Sequence, residues 1–99
     1  MEKIKLRKWD SAEHLKTEED MALYLEACLA EAGKDAAFIA KALGNIARAK
    51  GMTELSRETG LGRESLYKAL SGKGNPSFAT ILKVISALGI KLHAEPAHD

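Results

Sequence analysis

Apolar residues recur at helical spacing along most of the chain, and capping residues divide this pattern into separate helices. The first predicted helix begins after Thr17, whose hydroxyl is a typical N-cap, and ends at Gly33. Three acidic residues follow the cap, where the positive end of the helix dipole favours negative charge. The apolar stripe of this helix consists of Met21, Leu25, Cys28, Leu29 and Ala32. Its spacing predicts that this face is buried.

A second helix is predicted from Asp35, its N-cap, to about Lys50. Its apolar stripe consists of Ile39, Leu43, Ile46 and Ala47. Gly44 lies in the middle, where glycine costs about 1 kcal/mol relative to alanine. We therefore expect a neighbouring helix to approach closely at Gly44. The alternative is a break in the helix at Gly44 and Asn45.

Two short helices joined by a tight turn are predicted over the centre of the chain. Thr53 is the expected N-cap of the first, which covers residues 54–59 and ends at Gly60. The second covers residues 63–71, after a turn centred on Leu61. Gly60 suits this turn because glycine adopts positive φ without steric cost.

The last helix is predicted between Ser77, its N-cap, and Gly89. Its inward face is expected to consist of Phe78, Ile81, Leu82, Ile85 and Leu88. Two terminal segments, residues 3–9 and 90–95, instead alternate between apolar and polar side chains, as strands do. Three interpretations are open: the segments pair with each other, pair with their counterparts in a second copy, or are frayed tails.

The pattern as a whole predicts an all-α fold of five helices, with short terminal β-strands as an open alternative. A further short helical turn is expected over residues 11–15, after a cap at Asp10. We expect a single domain, residues 1–99. Within it, residues 1–33 form an acidic N-terminal extension and helix, and residues 34–92 form the core.

Length and composition restrict the class of protein. The chain has 99 residues, of which 45% are hydrophobic and 29% are charged, as is typical of a small globular domain. Its one cysteine, Cys28, cannot form a disulfide within the chain. No apolar run reaches the ~18 residues that cross a bilayer, and the N-terminus is too charged for a signal peptide. We therefore expect a cytoplasmic protein.

Charge is distributed unevenly along the chain. Residues 1–33 carry five basic and eight acidic side chains, whereas residues 34–99 carry ten basic and six acidic ones. Between residues 41 and 91 there are nine basic side chains and three acidic ones. This polarity predicts two surfaces with different partners. Ordinary scatter of surface charge is the alternative.

Residues 52–71 have the pattern of a helix-turn-helix, whose second helix can lie in the major groove of DNA. Leu55 and Leu66 supply the inward contacts. The outward positions of the second helix are polar and are the candidates for reading base edges: Arg63, Glu64, Ser65, Tyr67 and Lys68. Arg63 can donate two hydrogen bonds to guanine, and Glu64 can accept one from cytosine.

Side chains around this motif are candidates for contacts with DNA phosphates. The helix N-termini expected at Thr53 and Ser77 present free backbone N–H groups, which bind anions. The full set of candidates is Lys50, Thr53, Arg57, Lys73, Asn75 and Ser77. The alternative is a solvated helix N-terminus at Arg63 and Glu64, because short helices around a glycine turn also occur in proteins that do not bind DNA.

The same segments resemble known families. Residues 52–92 resemble the Cro/repressor-like (XRE) helix-turn-helix domain, especially in the tail SGKGNPSFATILKVISALGI. A narrower similarity, to HigA-type addiction-module antidote proteins, spans roughly residues 8–95. It is carried by residues 19–25, by ALGNIARAKGM at 42–52 and by ESLYKALS at 64–71. One departure is Ser56, where such motifs usually have alanine, but its hydroxyl is small enough for the fold.

The resemblance implies an antitoxin. Members of this family bind a small RelE/HigB-like ribonuclease toxin and repress their own operon, usually as dimers on a palindromic operator. By position, Arg63, Glu64 and Lys68 fall where repressor-type domains read bases, with Ser65 and Tyr67 beside them. The acidic residues expected to meet the basic toxin are Glu18, Glu19, Glu26 and Glu31.

One such domain reads few base pairs, so we expect a homodimer on double-stranded operator DNA with half-sites about one helical turn apart. The terminal segments and the last helix are the candidate dimer elements. The main alternative is a helical protein-interaction module, or a plain transcriptional regulator with no toxin partner.

No cofactor or enzymatic activity is expected. The three histidines are far apart in sequence and lack the paired ligands that zinc needs. Cys28 lies on an apolar stripe, with no acid or histidine spaced to activate it, and is interpreted as a core residue. Trp9 and Tyr24 are interpreted as packing residues, with interface anchors as the alternative.

Overall fold

The computed structural model describes residues 15–97, and over this range it consists of α-helices and connecting turns, without a strand. We number its five helices α1 (Glu18–Ala32), α2 (Ala36–Lys50), α3 (Met52–Thr59), α4 (Arg63–Ala69) and α5 (Phe78–Ala87). The predicted all-α fold is therefore confirmed. The turn expected after Asp10 and the alternating segment 3–9 lie outside the described residues. No helix in this part of the chain is long and apolar enough to cross a membrane.

Three predicted N-caps are confirmed. Thr17 accepts a hydrogen bond from the Asp20 backbone N–H at 3.0 Å, and the Asp20 carboxylate accepts one from the Thr17 N–H at 3.2 Å, which completes a capping box. Asp35 caps α2 by accepting from the Phe38 N–H, and Ser77 caps α5 by accepting from the Thr80 N–H. These local signals set where the three longest helices begin.

Two predicted boundaries in the centre of the chain are wrong. Thr53 does not cap α3, because the helix already begins at Met52 and its N-cap is Gly51, which has no side chain to cap it. Gly51 also ends α2, where its N–H donates to the Ala47 carbonyl at 2.8 Å. The fourth helix ends at Ala69 rather than Ser71.

The core lies where α2 and α3 meet the other three helices. Helix α2 packs against α1 and α3, and α3 also packs against α4 and α5. The largest fully buried side chains come from all five helices or their caps: Leu43, Ile46, Leu55, Leu66, Leu88, Val84 and Cys28. Cys28 and Tyr24 are both buried, as the interpretation of packing residues predicts. The Tyr24 hydroxyl accepts a hydrogen bond from Asn45 Nδ2 at 3.0 Å.

Helix α2 continues unbroken through Gly44, which confirms a close approach rather than a break. A Cβ atom at this position would lie 2.7 Å from the carbonyl oxygen of Leu70, the C-cap residue of α4. Glycine is therefore needed here for packing. Through this contact, α2 supports the end of the fourth helix directly.

Several apolar residues do not lie where the pattern places them. Phe78 and Leu82, expected on the inward face of α5, are 73% and 42% exposed, whereas Val84, Ile85 and Leu88 are buried. Leu29 of α1 is 40% exposed, although Met21, Leu25 and Cys28 of the same stripe are buried. Residues 91–97, which include most of the expected C-terminal strand, have neither helix nor strand conformation. No partner strand within the described range satisfies their backbone groups.

Candidate nucleic-acid interface

The corner between α3 and α4 has helix-turn-helix geometry. Gly60 adopts the left-handed conformation, with φ of 77° and ψ of 8°, and a side chain would strain the backbone there. The Ser56 hydroxyl donates to the Leu61 carbonyl, and the Leu61 N–H donates to the Thr59 hydroxyl at 3.2 Å. Leu55 and Leu66 are fully buried on the two sides of the corner. The turn therefore fixes how α4 leaves α3.

Helix α4 separates its apolar and polar residues cleanly. Leu66 is fully buried, and Leu70 beyond the end of the helix is buried too. The five side chains predicted to read bases are all exposed: Arg63, Glu64, Ser65, Tyr67 and Lys68. Their outward placement is the arrangement that a helix needs to contact base edges in the major groove.

The predicted phosphate contacts are distributed over the elements that flank α4. Thr53 and Arg57 are exposed on α3, Lys73 and Asn75 are exposed in the loop that follows α4, and Ser77 is exposed at the start of α5. Because Ser77 is the N-cap, the first backbone N–H groups of α5 point out of the helix end next to its hydroxyl.

The loop after α4 folds back onto the helix that it leaves. The Ser71 hydroxyl donates to the Lys68 carbonyl at 3.0 Å and accepts from the Lys73 N–H at 3.1 Å. Gly72, with φ of 85°, lies against Lys41 of α2, because a Cβ there would be 2.6 Å from Lys41 Cγ. This contact brings a further exposed lysine to the base of the loop.

Sequence reasoning missed Lys41, which the structure places beside Lys73's loop. In the sequence, the positive charge of Lys41 is the one indication of a role near the loop. Lys41 lies more than 30 positions before the loop, and no local pattern predicts that the two are close in space. Its aliphatic stem lies against Gly72 in the loop that carries Lys73 and Asn75, and its side chain is exposed.

Lys50, also predicted to contact phosphate, forms an ion pair within the protomer. Its Nζ lies 3.6 Å from Oε2 of Glu18, and the side chain of Lys50 is only 18% exposed, against 65% for Glu18. The Glu18 carboxylate also lies beside Gly89, where a Cβ would be 2.6 Å from Oε2. Glu18 therefore links the start of α1 with the ends of α2 and α5. Among the four acids predicted to meet a toxin, Glu18 is the one whose contacts within the described range hold helices together.

Helix α1 presents an acidic face that also contains exposed leucines. It carries five acidic side chains and no basic one. Glu19 and Glu26 are exposed, and Glu31 is half-buried. Leu23 lies among them and is 56% exposed. A single exposed leucine is normal on a protein surface, so the distinguishing feature of this helix is its acidic charge, which is complementary to a basic partner.

No cluster in the described range can hold a metal ion. Three or more histidine, cysteine, aspartate or glutamate side chains do not come together between residues 15 and 97. Cys28 is buried in the core.

The fold and the exposed α4 define a small all-α protein with a helix-turn-helix corner. Residues 5–96 match the family described as "Probable addiction module antidote protein". The chain is also 48% identical over 90 residues to an uncharacterized protein of Haemophilus influenzae (strain Rd), with 91% of each chain covered. No solved structure matches the chain. The chain belongs to the addiction module antidote family, which confirms the antitoxin part of the resemblance.

Proposed function

We propose that this protein is the antitoxin of a type II toxin-antitoxin module of the HigA type. It represses its own operon by binding operator DNA through an XRE-like helix-turn-helix, and it neutralises a RelE/HigB-like ribonuclease toxin by direct binding in the cytoplasm. One observation carries the DNA-binding part: every polar side chain at the start and middle of α4 is exposed while Leu66 among them is fully buried. Membership of an antidote family supports the toxin partner.

In this proposal α4 enters the major groove. Arg63 donates to guanine O6 and N7, Glu64 accepts from cytosine N4, and Lys68 reaches a guanine or a phosphate. Ser65 and Tyr67 offer hydroxyls and, for Tyr67, a ring face for a thymine methyl group. Each good contact with a base is worth about 1–3 kcal/mol of discrimination.

Positive charge around α4 would hold the duplex in place without reading its sequence. Arg57, Lys73 and Lys41 are exposed on three elements that flank the helix, and Ser77 offers a capped helix start. Contacts of this kind fix the register of the protein on DNA and make its affinity depend steeply on salt.

The protein would bind its operator as a homodimer. Helix α4 has seven residues, which at about 1.5 Å per residue is long enough to read only a few base pairs. Two copies on a palindrome double the number of base contacts and place the half-sites about one helical turn apart.

Toxin binding is assigned to α1. Its surface is acidic and carries the exposed leucine Leu23, whereas the described basic residues lie mainly from α2 onward. A basic nuclease would be attracted to this face and repelled by the DNA-binding side. The two partners therefore occupy different parts of one small domain.

The DNA-binding proposal is tested by titrating labelled DNA from upstream of the gene with the protein, at several salt concentrations. A scrambled duplex of equal length is the control. We expect tighter binding to the upstream DNA and a linear fall of log affinity with log salt. Equal affinity for both duplexes at every salt concentration would contradict sequence-specific repression.

Toxin binding is tested with α1 variants, in co-purification with the small basic protein encoded beside the gene. Glu19→Gln combined with Glu26→Gln, and Leu23→Ala separately, should each weaken capture of the toxin and leave DNA affinity unchanged. The matched control is Glu95→Gln, which neutralises an exposed acid outside α1. Unchanged capture by both α1 variants would reject this face as the toxin site.

A further inference from the structure

Leu61 lies in the corner between α3 and α4, and two side chains of α3 form hydrogen bonds with its backbone. The Ser56 hydroxyl donates to the Leu61 carbonyl, and the Thr59 hydroxyl accepts from the Leu61 N–H at 3.2 Å. Within residues 15–97, no backbone group bonds to Leu61, so these two bonds satisfy its polar backbone atoms. We call the Ser56 and Thr59 hydroxyls the corner hydroxyls.

The corner hydroxyls are themselves held by their surroundings. The Thr59 hydroxyl donates its proton to the Leu55 carbonyl at 2.8 Å, which leaves an oxygen lone pair to accept from Leu61. Ser56 and Thr59 are both half-buried, so water competes less for their bonds than at an exposed position. A backbone N–H or C=O that loses its partner in such a place costs free energy.

The residues on either side of Leu61 add no side-chain restraint. They are Gly60 and Gly62, and an added Cβ at either position would meet no atom within 4 Å. Gly62 is the N-cap of α4 and provides no side-chain cap. The Leu61 side chain, in contrast, packs against the core. The start of α4 is therefore attached to α3 mainly through Leu61.

The other end of α4 is fixed by packing instead. Leu70 is buried, and its carbonyl oxygen lies against the backbone of Gly44. Arg63 is two residues from Leu61, whereas Lys68 is seven residues from it and close to the packed end. Loss of a corner hydroxyl should therefore disturb the start of α4, with Arg63, more than its end.

We propose that Ser56 and Thr59 are positioning residues for base recognition. Their hydroxyls hold Leu61 and thereby set the direction of Arg63 and Glu64 at the start of α4. This inference rests on the proposed DNA-binding function and adds two residues to it that do not touch DNA themselves. Hydrogen bonds to base edges need narrow limits of distance and angle, whereas contacts with phosphate carry no sequence information. Loss of a corner hydroxyl therefore lowers preference for the operator more than it lowers affinity for DNA in general.

Two variants of Thr59 separate the effect of its hydroxyl from that of its shape. Thr59→Val keeps the branched side chain and loses the hydroxyl, whereas Thr59→Ser keeps the hydroxyl and loses a methyl group. Affinities for the upstream DNA and for a scrambled duplex are measured at several salt concentrations. Thr59→Val should lower the ratio of the two affinities about tenfold, as loss of a base contact does, and leave the salt slope unchanged. Thr59→Ser should retain the wild-type ratio.

Ser56→Ala tests the other corner hydroxyl in the same titrations. Alanine is smaller than serine and a better helix former, so the variant should stay folded. The matched control is Ser86→Ala, which makes the same change at an exposed serine of α5 that takes no part in the bonds of the corner. Ser56→Ala should lower the affinity ratio and Ser86→Ala should not. General destabilisation would instead weaken binding to both duplexes alike and leave the ratio unchanged.

A double variant tests whether Thr59 acts through Arg63. On a panel of single-base operator variants, Thr59→Val should relax preference at the position that Arg63→Ala also relaxes. In the Arg63→Ala background, Thr59→Val should cause little further loss there, because the contact that it positions is already absent. Losses that simply multiply would contradict positioning of Arg63 by Thr59.

Amide hydrogen exchange tests the corner without DNA. Thr59→Val should raise the exchange rate of the Leu61 N–H, while the N–H of Leu43 in the core exchanges as in the wild type. Unchanged exchange at Leu61 would overturn the proposal, as would a wild-type affinity ratio in both Ser56→Ala and Thr59→Val. Failure of the proposed function is distinguishable, because the wild-type chain would then bind both duplexes equally while exchange at Leu61 still responded to Thr59→Val.

Discussion

The backbone of Gly44 in α2 lies against the carbonyl of Leu70 at the end of α4, so that a Cβ atom would come within 2.7 Å of the oxygen. This contact joins the middle of a long helix to the end of the helix that carries the candidate base-reading residues. It leaves no room for a methyl group, because the neighbour is backbone and cannot rotate away.

Gly44→Ala should therefore destabilise the protein although alanine favours helix. The gain in helix propensity is about 1 kcal/mol, whereas overpacking costs about 1–3 kcal/mol, so we expect a net loss of up to about 2 kcal/mol. Urea unfolding measures it. Gly62→Ala is the matched control: its φ is −65° and nothing lies within 4 Å of the added carbon, so stability should stay close to that of the wild type, because the smaller entropy of the unfolded chain offsets the poorer N-cap. Equal effects of the two variants would contradict the close contact.

Gly60→Ala tests the helix-turn-helix corner. An added Cβ meets no atom within 4 Å, so any loss of stability comes from the left-handed backbone, at about 1–2 kcal/mol. Gly60→Asn should lose less, because asparagine tolerates this conformation better than alanine. Thermal unfolding of both variants gives the comparison, and an alanine variant at least as stable as the asparagine variant would show that the corner is not left-handed.

Arg63→Ala and Lys73→Ala should affect DNA binding in different ways. Loss of Arg63 should cost about 1–3 kcal/mol and relax preference at one base position, because its guanidinium is assigned to a base edge. Loss of Lys73 should weaken binding to all sequences alike and reduce the salt slope by about 1, because its ammonium is assigned to a phosphate.

Binding to a panel of single-base operator variants separates these two outcomes. Asn75→Ala is a useful companion to Lys73→Ala, since it removes a neutral side chain from the same loop and should leave the salt slope unchanged. A uniform loss across the panel for Arg63→Ala would place that residue on the backbone of DNA instead.

Glu18→Gln should release Lys50. The pair is partly exposed, so its loss together with that of one acid in the first turn should cost about 1 kcal/mol or less, and less still in high salt. With its partner neutral, Lys50 becomes available to DNA, and we expect affinity for any duplex to rise at low salt. If DNA affinity is unchanged while stability falls, Lys50 acts only within the fold.

The parts of the fold that sequence could predict are those set by neighbouring residues. Thr17, Asp35 and Ser77 cap their helices because a cap is a contact across three positions. The left-handed Gly60 and the close approach at Gly44 followed from the properties of glycine itself. The start of α3 was missed, because Gly51 both ends α2 and begins α3, and two helices that share one residue leave no separate cap.

What sequence could not decide was which of two apolar faces meets the core. In α5 the apolar residues cover more than one side of the helix, so spacing alone placed Phe78 and Leu82 inward with Leu88. The packed structure buries Val84 and Leu88 and leaves Phe78 exposed, which the pattern of a single helix does not determine. The candidate site was predictable to the same extent. The exposure of the α4 residues follows from their spacing in the sequence. The position of Lys41 and the Glu18–Lys50 ion pair depend on contacts between distant parts of the chain, which spacing does not predict.

The hydrogen bond from the Ser56 hydroxyl to the Leu61 carbonyl lies entirely within the corner that orients α4. It connects two residues five positions apart, so both of its ends belong to the corner itself. We expect substitutions in α1, whose main packing partner is α2, to lower the melting temperature while the direction of Arg63 and Lys68 relative to α3 is preserved. Under the proposed function, heat stability and preference for an operator sequence can then be changed by separate mutations.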